Sequence, residues 1–361
     1  MFETIWKKFL RRKGLSLWIL AIPVLWFVSL IYRLIASLNL KLKRHPLKVE
    51  KPIISIGNIT VGGTGKTPMV ELLASRLMEE GIRVGIVSSG YGRKEEISFV
   101  EPGYKVQNLA VEVTGDEVKY LATKLPEATF SISTKKVEAA QKLALGNDVD
   151  LIIVDDGFQH HALSRDIDIV TYDAAVDEKE LKWFPMGKLR ESLKAIKRAD
   201  VILITRAGFA KDITYIRNKL SSINPEAEIY QAQFRATELI GHDRNLPAKY
   251  LEDKSVFMFA GIGNFRPFER QVFALSSDLD FALELSDHQD YNEKVLSEIK
   301  ELIDNYNSDV IITTGKDWMK IENFDFERDI YYLQQTIDLD PGEEKLVSYI
   351  ANRLGLQKRI D

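Results

Sequence analysis

The residues best equipped for chemistry stand together at positions 60 to 67. Here Thr60, Val61, Gly62, Gly63, Thr64, Gly65, Lys66 and Thr67 follow the apolar run from Pro52 to Gly57. Glycines in such a turn let backbone N–H groups approach a phosphate, a lysine reaches the β and γ oxygens, and a threonine hydroxyl can be offered to Mg²⁺. The usual spacing, G-x-x-x-x-G-K-[ST], fails at one place, because Thr60 stands where the first glycine belongs. Every part with a chemical task is kept, so the loop is expected to cradle ATP. Pro68 falls in the first helical turn, where amides have no intrahelical acceptor to lose. A glycine-rich turn without a ligand would not need the strand before it and the helix after it.

A second group is Asp155 and Asp156, which end the apolar run Leu151 to Val154. A buried strand ending in a carboxylate places a metal-directed acid beside a phosphate loop. Successive strand side chains point to opposite faces, so both acids can face the nucleotide only if the chain turns at once. Gly157 is expected to supply that turn. Taken alone, such a pair is more often a helix cap or a solvated loop; paired with the phosphate loop, the balance reverses toward Mg²⁺.

Elements of two kinds must hold these residues. Strands are expected at Pro52 to Gly57, Arg83 to Ser88, Thr129 to Ser133, Leu151 to Asp155, Ile167 to Thr171 and Val201 to Thr205. Several are apolar throughout, as strands covered on both faces are. Helices are expected at Lys66 to Glu80, Asp116 to Lys124, Lys135 to Leu145 and Lys211 to Ile223, which gives a doubly wound, mostly parallel α/β pattern. A second, smaller α/β set starts at "SVFMFAGIGNF" and continues through a helix from Asn292 to Asn305, "DVIITTGKD" and a further helix. Two largely alternating segments, 228 to 239 and 329 to 339, are expected to pair as a two-stranded linker, with a final helix near 341 to 355 returning to the first domain. The expected division is therefore 1–48 as an N-terminal segment, 49–227 as the nucleotide-binding domain, 228–240 with 329–340 as linker, 241–328 as the smaller domain, and 341–361 as the returning helix.

Composition narrows the partners. The 361 residues include no cysteine, which excludes disulfides, thiolate nucleophiles and cysteine-held metal centres. Residues 1 to 44 hold nine Lys or Arg against the single acid Glu3, a local charge of +8; with −4 for the whole chain, the remainder carries −12. A body this acidic is a poor nucleic-acid binder. The basic segment surrounds Leu15 to Tyr32, an 18-residue run free of charged side chains. This approaches the ~20 residues that cross a bilayer. A cleaved signal peptide lacks a small-x-small site, and a core helix leaves the flanking charge unexplained. A single crossing would put the nucleotide-binding body on the side without ATP, since the cluster Lys7, Lys8, Arg11, Arg12 and Lys13 holds the N-terminus in the cytoplasm. The favoured reading is a segment bent at Pro23 that lies in or dips into the inner leaflet, with its basic flanks on anionic headgroups.

Six stretches, "GNITVGGTGKTP", "GYGRK", "TGDE", "DDGFQHHALSRDIDIV", "GKLRESL" and "SDHQDY", occur in this order behind the basic apolar N-terminus. Together they resemble the tetraacyldisaccharide 4'-kinase family over nearly the whole chain; "DDGFQH" with "GGTGKTP" is the most specific part. The resemblance implies a P-loop NTPase-like fold with a membrane-associated N-terminal segment. It also implies phosphorylation by MgATP of the 4' hydroxyl of the glucosamine disaccharide precursor of lipid A, at the cytoplasmic face of the inner membrane. It casts Asp116 as the general base, His288 as the group that orients and tunes it, and Lys66 as the charge on the transferring phosphate. Thr67, Asp155, Asp156 and Glu191 fall on positions near the metal, and Gln159, His160 and Arg190 on positions near the substrate headgroup. One departure stands out: the family commonly reads S-R-G-Y where this chain has "SSGYGRK", so Ser89 replaces an arginine, and Arg93 or Lys94 is the available substitute. Two other functions fit parts of the sequence. A kinase of another membrane lipid, such as a polyprenol, shares the chemistry, and a membrane-associated regulatory ATPase shares a "GGTGKT" loop, although its leading lysine is Val61 here.

Overall fold

The computed structural model describes residues 22–42, 45–95, 97–146, 149–276 and 278–356. Thirteen strands form one sheet: β1 Ile53–Asn58, β2 Val84–Ser88, β3 Phe99–Pro102, β4 Thr129–Ile132, β5 Leu151–Asp155, β6 Ile167–Asp173, β7 Val201–Thr205, β8 Glu228–Ile240, β9 Asn245–Pro247, β10 Ser255–Ala260, β11 Asp278–Glu284, β12 Val310–Thr313 and β13 Ile330–Asp340. Their order is β11-β10-β12-β13-β8-β7-β6-β1-β5-β2-β4-β3, with β9 a short partner of β8.

The central strands are buried along their whole length because helices cover both faces, which is why they read as continuous apolar runs. Strand β1 lies between β5 and β6, both parallel to it, so the chain leaves β1 on one side and returns on the other. Such a reversal opens a crevice beyond the carboxyl ends of the strands, and ligands settle there. In register, Ile56 of β1 faces Asp155 of β5, which sets the acid pair beside the loop that follows Asn58.

Strands β8 and β13 pair antiparallel over most of their length, from Tyr332 opposite Ile240 to Asp340 opposite Gln231. Parallel strands flank this ribbon on both sides, so one sheet passes through two cores. The first core packs Ile54, Leu73, Phe130 and Ile153 with the helix Glu343–Leu354, whose Leu346 and Ile350 are buried there. The second packs Phe257, Phe259, Ile303 and Trp318 around β10 and β12. Below, the two sides of the ribbon are called the first and second lobes.

The helix Ile22–Leu42 stands apart. It is long and apolar enough to cross a membrane, and only 6% of its most apolar window is buried. Trp26, Phe27, Ile31, Leu34 and Ile35 are exposed. One face docks: Ser29 Oγ donates to the carbonyl of Trp183 at 3.0 Å, and Tyr32 packs edge-on against Trp183 and Phe184. Pro23 sits in the first turn of this helix; the chain before Ile22, with the cluster from Lys7 to Lys13, lies outside the described residues, and so does any bend there.

Candidate functional site

The phosphate loop is assembled from β1 outward. Asn58, buried at the end of β1, donates through Nδ2 to Thr64 Oγ1 at 2.9 Å, and Thr64 shares a 2.7 Å hydrogen bond with Thr171 of β6. From β7, Thr205 Oγ1 donates to the Thr64 carbonyl at 3.0 Å, and the neighbouring Arg206 donates to the Gly63 carbonyl at 2.7 Å. Three adjacent strands thus fix the loop by its carbonyls and hydroxyls. Its leading residues are tied elsewhere: Val61 N–H donates to the Lys188 carbonyl at 2.8 Å, and Thr60 bridges Leu189. Gly65 caps the helix Lys66–Glu79 at φ 88, a left-handed backbone that disfavours any side chain, and a Cβ there would lie 2.6 Å from the Phe234 ring. Gly62 and Gly63 have open space around them, as a surface that must admit phosphate requires. Thr67 is buried at the start of the helix.

The acid pair splits into two chemically different groups. Asp155 is buried at the end of β5; its Oδ2 accepts from Ser88 Oγ at 3.3 Å, whereas Oδ1 has no hydrogen-bond partner. Burial, then the nearby Glu117 charge, pushes its carboxyl up to about 6. Asp156 is half-buried, and desolvation alone would raise its carboxyl, but Lys66, Arg190 and Lys136 outweigh it and hold it well below the usual range. Arg190 Nη1 reaches both oxygens of Asp156 at 2.9 and 3.0 Å, and Lys66 Nζ lies 3.5 Å from Oδ1. The turn comes at Asp156 itself, in the left-handed region at φ 49, and not at Gly157 as expected. What Gly157 provides is room: a Cβ there would meet Ser55 Oγ at 2.7 Å. Beneath the turn, the buried Lys136 donates through Nζ to the carbonyls of Asp155 and Asp156 at 2.5 and 2.8 Å. Nothing in the sequence singled out Lys136.

Asp116 opens the helix Asp116–Lys124. The preceding Gly115 has φ 81, and a Cβ on it would sit 2.7 Å from the Tyr91 carbonyl, so only glycine brings the chain into this helix at that angle. Asp116 Oδ1 accepts from the Glu117 N–H at 2.8 Å. Asp116 Oδ2 is contacted by His288 Nδ1 at 3.1 Å and by Lys320 Nζ at 2.7 Å. His288 comes from the loop after β11, in a left-handed conformation at φ 52, with its own N–H donating to the Gly261 carbonyl. Its ring packs edge-on against Tyr91. Burial would raise the Asp116 carboxyl, but the His288 hydrogen bond and Lys320 hold it far below the ordinary range. Burial lowers and Asp116 raises the His288 imidazole, and the net shift is upward. A cavity of about 320 Å³ opens beside this cluster, lined by Gly92, Lys94, Asp116, His288 and Lys320 among others.

The remaining site candidates are placed as follows. Gln159 Nε2 donates to the Asn58 carbonyl at 2.7 Å, while its Oε1 is buried without a partner. The backbone of His160 is bonded to Gly157 and Arg165. Arg190 is committed to Asp156. Glu191 is held by both guanidinium contacts from Arg198, at 2.9 and 3.1 Å, and lies 3.6 Å from His161. Among the described residues no three acidic or histidine groups cluster as a metal cage, and Glu191 is paired with Arg198.

Comparison with known proteins meets this geometry. The LpxK family, described as tetraacyldisaccharide-1-P 4'-kinase, matches residues 21–355. The tetraacyldisaccharide 4'-kinase of Halothermothrix orenii is 34% identical over 318 residues, spanning 83% of this chain and 81% of that protein. That of Desulfotalea psychrophila is 31% identical over 334 residues, spanning 89% and 94%. A crystal structure of LpxK from Aquifex aeolicus in complex with ATP is 26% identical and superposes with a TM-score of 0.71, covering 92% of this chain and 99% of that one. With its phosphate loop, acid pair and Asp116–His288 pair set on this sheet, the chain belongs to the tetraacyldisaccharide-1-P 4'-kinase family.

Proposed function

We propose that this chain transfers the γ-phosphoryl group of ATP to the 4' hydroxyl of a tetraacyl glucosamine disaccharide 1-phosphate, with Asp116 accepting the hydroxyl proton. As the sugar oxygen bonds to phosphorus, the bond from phosphorus to the leaving ADP oxygen breaks, and the proton passes to the carboxylate. The transition state is loose, so positioning and charge carry most of the catalysis. Lys66 neutralises charge on the β and γ oxygens, and the loop from Thr60 to Thr67 holds them through its amides. His288 fixes Asp116 and shares its proton load.

The donor set fits Mg²⁺: Thr67 offers a hydroxyl, Asp156 a carboxylate held ionised, and Asp155 a buried oxygen with no other partner. Thr67, Asp155 and Asp156 would hold the ion. When bound, it supplies neutralisation of the phosphate oxygens. Arg190, Gln159 and His160 line the same end of the sheet and are assigned to orienting the acid pair and the sugar.

The contact at 3.1 Å between Asp116 and His288, residues 172 apart in sequence, carries this reading. Chain order supplies no reason for them to meet, and a proton acceptor held for phosphoryl transfer does. The pair joins the two lobes, so we assign the β8–β13 ribbon as the hinge on which the second lobe moves. The exposed apolar face of Ile22–Leu42, with basic residues around it, is assigned to the cytoplasmic leaflet of the inner membrane. A kinase of another lipid would use the same machinery on a different acceptor. A regulatory ATPase would release phosphate at the prompting of a protein and leave lipid unchanged. Mass analysis of the product from MgATP and the purified disaccharide lipid tests the proposal against both: a gain of one phosphate at the 4' position supports it, and unmodified lipid overturns it.

A further inference from the structure

We propose that Lys320 is a positioning residue for phosphoryl transfer: it and His288 pin the same oxygen of Asp116 from the second lobe, so the proton acceptor is aligned only while that lobe is seated. The inference rests on the reading of Asp116 as the base. Lys320 lies on the helix Gly315–Ile321, and its Nζ bridges two groups: Asp116 Oδ2 at 2.7 Å and the carbonyl of Gln289 at 3.2 Å. Gln289 directly follows His288. One ammonium therefore sets both the carboxylate and the loop that carries its imidazole partner. Its side chain is only 12% exposed and that of Asp116 4%, so the contact is protected from solvent screening.

The donor count points the same way. Asp116 Oδ1 already accepts the Glu117 N–H, and Oδ2 accepts from two donors. A carboxylate held by three donors cannot rotate, and a misplacement of about 1 Å at a reacting group costs on the order of 10²-fold in rate. Two further ion pairs run between the same two helices, Lys316 with Glu117 and Lys119 with Glu322. Those two pairs clamp the helices together; Lys320 alone among the three lysines touches the base.

The test reads the pH dependence of kcat in the full-length enzyme. The charged and titratable groups facing Asp116 are His288 and Lys320 in contact, Lys316, Glu117 and Tyr291 nearby, and Asp287 behind His288. Lys320→Met is expected to lower kcat about 10- to 100-fold with KM for ATP unchanged. Its acid limb is expected to climb toward or above the ordinary aspartate value of 3.8, because burial is then less opposed. Lys320→Gln keeps a hydrogen-bond donor without the charge and is expected to show the same limb with a smaller loss of rate. Lys320→Arg keeps the charge and is expected to keep the limb low. A purely structural lysine would lower the rate or the yield without moving the limb. Normal turnover in Asp116→Asn overturns the base itself. Loss in Asp116→Asn with an unmoved limb in Lys320→Met or Lys320→Gln, or a limb raised as far in Lys320→Arg as in Lys320→Gln, overturns the role of Lys320 alone.

Discussion

Single residues separate nucleotide binding from proton transfer. Lys66→Ala removes the charge that the proposed function places on the β and γ oxygens, so both MgATP affinity and turnover are expected to fall. Asp116→Asn is nearly isosteric and leaves the loop untouched; turnover is expected to fall about 10²- to 10⁴-fold, the usual worth of a positioned base, with MgATP affinity measured by calorimetry unchanged. Equal loss of affinity in both variants would refute the division of roles. The Asp116–His288 pair also makes stability depend on pH, with a sign that differs for the two partners. Asp116 has its carboxyl depressed in the folded state, so its contribution is present above 3.8 and is lost as pH falls through the lower folded value. His288 has its imidazole raised, so its contribution is complete below 6.5 and is lost as pH rises through the higher folded value. The difference in thermal midpoint between the native chain and His288→Gln is therefore expected to be largest near pH 6 and to shrink toward pH 9. A constant difference across that range would show that the imidazolium is not part of the pair.

At the scale of elements, glycine placement decides whether the site forms. Gly115→Ala forces an L residue into the φ 81, ψ 155 backbone that is essentially glycine's alone, at about 1–3 kcal/mol, and drives its Cβ against the Tyr91 carbonyl. Backbone cannot swing aside as a side chain can, so the helix start must shift and carry Asp116 away from His288. Turnover is expected to fall by more than the loss of thermal stability accounts for, with MgATP affinity retained; a stable variant of normal rate would show that the helix entry is not constrained. Much of this layer was legible in the sequence. The central strands are uniform apolar runs because both faces are covered, and the 228–239 and 329–339 segments alternate because β8 and β13 continue past that cover. The helix expected over Asp116 to Lys124 has those bounds in the structure. Strands β3, β9 and β11 escaped notice because they are short or half-exposed edge elements whose composition does not differ from loop. The contacts that complete the site escaped for another reason. Lys320 meets the Asp116 carboxylate 204 residues away, and Lys136 meets carbonyls, which no residue type announces. Glu191, which the resemblance places near the metal, is paired here with Arg198, a partner the sequence does not announce.

At the scale of the whole molecule, one sheet joins the crevice of the phosphate loop, a lobe that brings His288 and Lys320 to Asp116, and a helix with an exposed apolar face. The helix docks on the same segment that steadies the phosphate loop: Trp183 receives Ser29 and Tyr32, Trp183 bridges Leu189, and Leu189 bridges Thr60. Removing the helix would therefore confuse membrane binding with damage to the loop, and the cleaner variant changes only the exposed face. Trp26, Phe27 and Ile31 are 59%, 58% and 43% exposed and are absent from the docking contacts described for Ser29 and Tyr32. On the proposed docking to a leaflet, replacing all three with Gln would remove apolar burial worth about 1.5 kcal/mol or more for each side chain, roughly tenfold each in partition. Sedimentation with anionic vesicles is expected to fall by at least about 10²-fold. KM for the disaccharide lipid presented in vesicles should rise in step, and KM for ATP should not move. If the triple variant still sediments fully with vesicles, the leaflet is not what this face was built to meet; if it loses ATP affinity, the face is coupled to the loop through Trp183 rather than serving as an anchor.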